Sequence, residues 1–570
     1  MENESTFVAP EGVYTVTEEH KPSVLPHFGA SPALFPTRVS TISIKFPPVK
    51  SGGGPGFAQL LGGGNKDSKK DKEKQDKDRG KDVVKDKDDG ISLSSSDSPD
   101  EDASGAQENI PPTTREHTLF AGPSAAAPGK KKAVARPKHN MRTTSSTFIT
   151  RIQNAEGLPR LLQSKSGDVT FMFYNVSKNF IWIEAASKTK EPLARMTFAA
   201  YPTCHDINLL SSTPDRLDVI IGFHTGDLVW LGANPTVSRY TRLNKQGSIS
   251  SSPCSAVRWV PGSANLFLVA HADGTIIVYD KGREDGTFSP QEVVDWDPID
   301  SIFITIPPWH PVSGTVPGAP KGEKVAKNPV SHWRVSRRAV VDFVFSPDVK
   351  YVAAISEDGC LRVIDALAEQ LVDCYASYFG ALTCVAWSPD GRFILTGGQD
   401  DLLTIFSPWE QRVIARCQGH SSFVSAVAFD ELRCDGRTYR FGSVGEDNKL
   451  ILWDFSSGAL HRPKFQPTHQ QRMSMASTVS LALRRDRSTI FLPTGEETPF
   501  PRYHPAPSRN EIAVVQPCLI KPVDSDILAT VVFLPRSILT STRAGLIKLW
   551  IRPLALRPRV KRQPIDVDVL

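Results

Sequence analysis

A chain of 570 residues with 39% hydrophobic residues, 45 prolines and 39 glycines is too long for one ordinary core of about 100–200 residues, so it holds several domains or one large repeat-built domain. A formal net charge of only +5 is no electrostatic footprint for nucleic acid. No apolar run reaches the roughly 18–20 residues that span a bilayer, and the opening MENESTFVAPEGVY lacks the basic-then-apolar order of a secretory signal, so the expectation is a soluble, intracellular protein, cytoplasmic or nuclear.

From the N-terminus, Gly12–Thr17 alternates weakly and is a candidate closing strand, and Thr37–Phe46 alternates apolar and polar residues as a half-buried strand does. Residues 1–46 are therefore expected to contribute a strand to a first structural unit. Residues 47–143 differ in kind. Between Lys66 and Asp89 ten basic residues interleave with nine acidic ones, and such a tract cannot bury enough apolar surface to offset its ordering entropy. A disordered insertion is expected there. Ser94, Ser95, Ser96 and Ser98 stand among acidic residues as kinase acceptors do, and Lys130, Lys131, Lys132, Arg136 and Lys138 suit a nuclear import signal, although a solubilising linker accounts for both.

Beyond residue 144 a repeat sets in. The segments FHTGDLVWL (223–231), HADGTIIVYD (271–280), SEDGCLRVID (356–365), GQDDLLTIFS (398–407), GEDNKLILWD (445–454) and TRAGLIKLWI (542–551) are each a polar turn followed by an alternating strand. Their turns at Thr225, Asp273, Asp358, Asp400, Asp447 and Arg543 recur at intervals near the ~40–45 residues of a WD blade, apart from two long gaps that fit loop insertions at about 281–330 and 456–508. The hairpin DVTFMFYNVSKNFIWIE (168–184), completed by the strand at 37–46, makes a seventh unit. The expected fold is all-β: a seven-bladed WD40-type β-propeller over 144–555, with long disordered insertions and a basic tail at 556–570. Such a ring buries the faces of its sheets and leaves only short, protected edges.

Within the most complete repeat, His420, Ser443, Asp447 and Trp453 occupy places where a hydrogen-bond chain can cross a blade. Trp can only donate and ionised Asp can only accept, while His and Ser can do both. A Ser–His–Asp hydrolase is the competing reading. No G-x-S-x-G elbow, P-loop or H-E-x-x-H motif occurs, so no catalytic residue, cofactor site or metal site is assigned. The eight cysteines form no C-x-x-C pair and suit small buried residues of a reducing compartment. Phe379 and Phe423 fall at equivalent loop-to-strand junctions, where they either pack between blades or project from one rim as protein-binding anchors.

The segments PTCHDINLL (202–210), RWVPGSANLFLVAHADG (258–274), FSPDVKYVAAISEDGCLRVI (345–364) and the run from Ser377 to Asp430, with FVAPEGVYTVTEEHKP (7–22), resemble the fungal CreC family of WD-repeat proteins and its animal WD-repeat relatives. The resemblance covers about residues 7–46 and 145–555. It implies a partner, a CreB-type ubiquitin-specific protease that the propeller stabilises or activates, and a part in carbon catabolite repression. In the animal relatives two rim aromatics contact the enzyme's fingers subdomain. Those positions match Phe379 and Phe423, the second being Trp in animals. A substrate receptor of a cullin-type ubiquitin ligase is the alternative, disfavoured because Trp453-Asp454 is followed by Phe455 and Ser456 rather than by Arg two residues on. Direct binding to nucleic acid or membrane is not expected.

Overall fold

The computed structural model describes residues 5–21, 35–48, 139–142, 147–185, 191–233, 238–291, 295–310, 326–456, 458, 502–508 and 510–553. The serine cluster at 94–98, the basic cluster at 130–138 and the tail 556–570 lie outside these residues. Among the described residues the strands form seven sheets, arranged as the seven blades of a β-propeller. Numbered in chain order, blades 1 to 7 have the inner strands Val39–Phe46, Pro202–Ile207, Cys254–Trp259, Val340–Phe345, Leu382–Trp387, Val424–Phe429 and Leu528–Phe533.

Strand alternation explains why the blades form a ring. Successive side chains on a strand point to opposite faces, so each blade has two apolar faces and must meet a neighbour on both. In Lys449–Ser456 of blade 6, Ile451 and Trp453 join a core shared with blade 5, whereas Leu450 and Leu452 join one shared with blade 7. The buried apolar residues divide into seven such clusters, each lying between adjacent blades. Blade 7 meets blade 1 through Leu539, Ile547 and Leu549 on one side and Val39, Met172 and Ile181 on the other, which closes the circle.

Closure is made by the N-terminal segment. Gly12–His20 pairs antiparallel with Ile547–Ile551, and Thr6–Ala9 adds outside it as a fifth strand of blade 7. Phe7 stacks on Tyr14 at 4.6 Å between ring centroids and also touches Trp550. Glu11, with its side chain 3% exposed, receives Arg440 Nη1 of blade 6 at 2.7 Å. Arg440 in turn grips Asp454 with Nε and Nη2, at 2.6 and 2.8 Å.

The chain departs from the sequence expectation at the outer edges of the blades. The strands Ile149–Ala155 and His139–Arg142 add outside the four strands of blade 1, the second of them inside the stretch 47–143 set apart as an insertion. The stretch 281–330, expected to be loop, supplies Phe303–Thr305 as a fifth strand of blade 3. The stretch 456–508 ends in Tyr503–His504, which pairs parallel with Gln370–Ala376 of blade 4. The chain then lays Ala513–Val515 parallel to Arg412–Gln418 of blade 5 before Pro517–Pro522 completes blade 6. Ile149–Ala155 apart, these are pieces of two to four residues, too short for their alternation to register in a sequence.

His205, His271 and His332 are sealed into the fold, and burial lowers the pKa of each. Burial holds His205 and His332 down to about 4, against an ordinary value near 6.5. A histidine whose folded pKa lies below its unfolded one supports the fold fully above about 6.5 and withdraws that support as pH falls towards 4. Urea midpoints are therefore expected to fall steadily between pH 6.5 and 4, with both His205→Gln and His332→Gln flattening the slope. An equally steep profile in the double variant would show that other groups carry the acid sensitivity.

Candidate protein-binding rim

In each blade the junction to the next blade and the turn between the second and third strands emerge on the same face. Their hydrogen bonds show it: Ser377 N–H donates to Gly359 O at 2.7 Å, and Glu446 N–H to Phe423 O at 2.8 Å. Phe379 lies on the junction from blade 4 to blade 5, and Phe423 on the junction from blade 5 to blade 6. Neither ring packs between blades; Phe379 is 73% and Phe423 41% exposed. Tyr378, beside the first, is also exposed.

The loop that carries Phe423 is built by the four residues singled out in its blade. Trp453 Nε1–H donates to Ser443 Oγ at 2.9 Å, Ser443 Oγ meets His420 Nε2 at 2.7 Å, and His420 Nδ1 meets Asp447 Oδ1 at 3.0 Å. Because the indole can only donate and the carboxylate only accept, the chain runs in one direction: Ser443 donates to Nε2, and the imidazole carries its proton on Nδ1. Asp447 Oδ2 also accepts from Ser421 N–H at 3.0 Å, which pins the junction two residues before Phe423. Gly419 is required at the start of this loop, since a Cβ there would stand 2.9 Å from the Trp453 ring. Burial alone would lift the Asp447 carboxyl, yet the hydrogen bonds from His420, Ser421 and Lys449 bring it down to about 2.

The Ser443 hydroxyl is not placed as a nucleophile. Ser443 is fully buried and spends its hydroxyl on His420 while accepting from Trp453, so no reacting atom can reach it. His420→Ala would strand the Ser443 hydroxyl and the Asp447 carboxylate. It is expected to lower the unfolding free energy by about 2–4 kcal/mol, measured by urea titration; a loss below about 0.5 kcal/mol would mean that the chain of bonds contributes nothing to stability.

The Phe379 loop has its own supports, and here sequence reasoning missed residues. Burial raises the pKa of the Asp400 carboxyl above its ordinary value, and the carboxylate accepts from the backbone N–H of Leu402 at 3.2 Å. The Arg416 guanidinium lies over the Tyr378 ring, 4.2 Å from its centroid, and Arg416 Nη2 donates to Pro507 O at 2.7 Å. No spacing rule joins residues 378, 416 and 507, and only the ring of blades brings them together.

The inner strands of all seven blades line a small polar channel of about 220 Å³, where Arg258 pairs with Asp342 at 2.9 Å. Among the described residues no cluster of three His, Cys, Asp or Glu side chains could hold a metal ion, and no helix is long and apolar enough to cross a membrane. The eight cysteines are free thiols, six of them buried.

The family model for the WD domain, G-beta repeat, matches residues 372–407, the outer strand of blade 4 and the first three strands of blade 5. The UBP9-binding protein bun62 of Schizosaccharomyces pombe is 37% identical to this chain over 418 residues, spanning 72% of the chain and 75% of that protein. Among solved structures, a chain from the crystal structure of a mitotic checkpoint complex superposes with a TM-score of 0.43 at 12% identity, covering 76% of this chain and 99% of that one.

Proposed function

We propose that this chain, which belongs to the family of the UBP9-binding protein bun62, is a non-catalytic scaffold that binds a ubiquitin-specific protease and stabilises or activates it. The observation that carries this reading is the relationship to a protein named for binding such an enzyme, over nearly three quarters of the chain. The exposed pair Phe379 and Phe423 on one face supports it, because aromatic anchors dominate protein interfaces. In the finer form of the proposal the partner is of the CreB type and the pair serves carbon catabolite repression, as the resemblance to the CreC family implies.

The test is direct. The purified full chain is mixed with a CreB-type ubiquitin-specific protease, and the mixture is followed by gel filtration and by hydrolysis of a fluorogenic ubiquitin conjugate. Co-elution, with faster hydrolysis or a longer enzyme half-life at 37 °C, is expected. Separate elution with unchanged turnover would remove the proposal. The chain alone is expected to leave the conjugate intact, and cleavage by it would overturn the scaffold assignment.

A further inference from the structure

The long excursion after blade 6 does not simply return to finish that blade. On its way back it straps the outer edges of blades 4 and 5. Cys374 N–H donates to Arg502 O at 2.7 Å. His504 stacks on Tyr375 with ring centroids 4.6 Å apart, and its Nε2 meets Asp373 Oδ1 at 2.8 Å. Further along, Ala513, Val514 and Val515 pair with Ala415, Arg416 and Cys417. Between these two anchorages Pro507 offers its carbonyl to Arg416. Arg416 is 6% exposed, and its guanidinium reaches from the strap to the underside of the exposed Tyr378 ring. An unbroken line of contacts thus runs from the strap, through one buried cation, to the residue next to Phe379.

We infer that Tyr378 is a third partner-contacting residue of the rim and that Arg416, clamped by the strap at 502–508 and 510–515, is the positioning residue that holds it presented. This rests on the proposed function in taking the Phe379 face as the enzyme-binding surface. The physical reason is the cost of ordering. An exposed tyrosine on a junction loop otherwise samples several rotamers, and fixing one of them on binding subtracts from affinity. A guanidinium over the ring face fixes it beforehand. A planar cation can stack on the ring and still donate in its own plane to a carbonyl, which a lysine ammonium cannot do with the same geometry. The strap is therefore a remote control of the rim: whatever loosens it frees Arg416, and Tyr378 with it, while the blades stay closed.

The experiment uses the full chain and measures affinity for the ubiquitin-specific protease by biolayer interferometry, with thermal melting run in parallel. Tyr378→Ala is expected to weaken binding about tenfold. Arg416→Ala should weaken it by about 3–30-fold, and the double variant by no more than the stronger single one, because the arginine acts through the tyrosine. Arg416→Lys should restore part of the loss. His504→Ala touches nothing on the rim and tests the strap itself; a few-fold loss is expected. Should Arg416→Ala melt early, the exposed Tyr378→Ala and the edge-placed His504→Ala carry the test. Wild-type affinity in Tyr378→Ala and His504→Ala, with affinity lost in Phe379→Ala, overturns this inference and leaves the proposed function standing. Wild-type affinity in all of them, Phe379→Ala included, overturns the rim reading as well. Losses in Tyr378→Ala and Arg416→Ala that multiply in the double variant overturn the positioning role.

Discussion

Phe379→Ala combined with Phe423→Ala is expected to weaken capture of the ubiquitin-specific protease by about a hundredfold or more while leaving the propeller's melting temperature within about 2 °C of wild type. Truncating a buried aromatic anchor at an interface commonly costs about 2 kcal/mol or more, and two such losses correspond to a factor of about a thousand if they add. Neighbouring anchors rarely add fully, so about a hundredfold is the firmer floor. Stability should hardly move, because both rings face solvent in the unbound chain and their loops are held by other groups: Ser377, whose hydroxyl donates to Gly380 O, around Phe379, and Asp447, which accepts from Ser421 N–H, before Phe423. Phe379, the more exposed ring, should account for the larger share. Titration of the enzyme against the double variant, with circular dichroism to confirm the fold, decides the matter. Binding within a factor of three of wild type would sink the aromatic rim.

The second large effect concerns closure of the ring. A chain lacking residues 1–21 loses both outer strands of blade 7 and should not fold to a cooperative native state. Ile547, Leu549 and Trp550 would then lie at a raw sheet edge, and an unpaired, apolar edge is a site of aggregation. Added back as a peptide, residues 1–21 should restore a cooperative melt. A truncated chain that melts like wild type would show that the last blade is complete without them. Glu11→Ala is the milder form of the experiment. It removes one partner of a buried ion pair, a change that costs about 3–5 kcal/mol when the remaining charge is left alone. Arg440 keeps Asp454, so about 2–3 kcal/mol is expected. Burial raises the Glu11 carboxyl, but Arg440 and Tyr14 more than offset it and its pKa is lowered. The stabilisation is therefore present above the unfolded glutamate value near 4.5 and lost as pH falls below it, and the gap between wild type and Glu11→Ala should close in acid.

What the sequence makes legible follows from what repeats. The blades are readable because every strand has two faces to bury and alternates accordingly, and because Thr225, Asp273, Asp358, Asp400 and Asp447 mark the same turn each time. Even the closing strand near Gly12 can be found, since a ring needs one terminus to finish what the other begins. The bond chain from Trp453 to Asp447 is readable because its members hold fixed places within one repeat. Phe379 and Phe423 can be located by the same register, but not their exposure, since packing between blades and projection from a rim have the same spacing. The strap and its link to Tyr378 leave no trace at all. Parallel pairing over two or three residues has no period, and Arg416 reaches Pro507 across 91 positions of chain. Glu11 and Arg440, 429 positions apart, are likewise two ordinary charges until the circle closes.

That circle also imposes an order in time. Thr17 meets the carbonyl of Leu549 across 532 positions, so a strand made at the start of the chain is among the last to be used. At about 5–20 residues per second of synthesis, the segment 6–20 waits roughly half a minute to two minutes at the ribosome before its partner strand exists. Throughout that wait Phe7, Ala9 and Tyr14 have no core to enter, and the six earlier blades stand as an open arc with apolar faces at both ends. The nascent chain is thus a client for whatever shields apolar surface during translation, and a bulky fusion at its N-terminus would obstruct the one step that turns an arc into a ring.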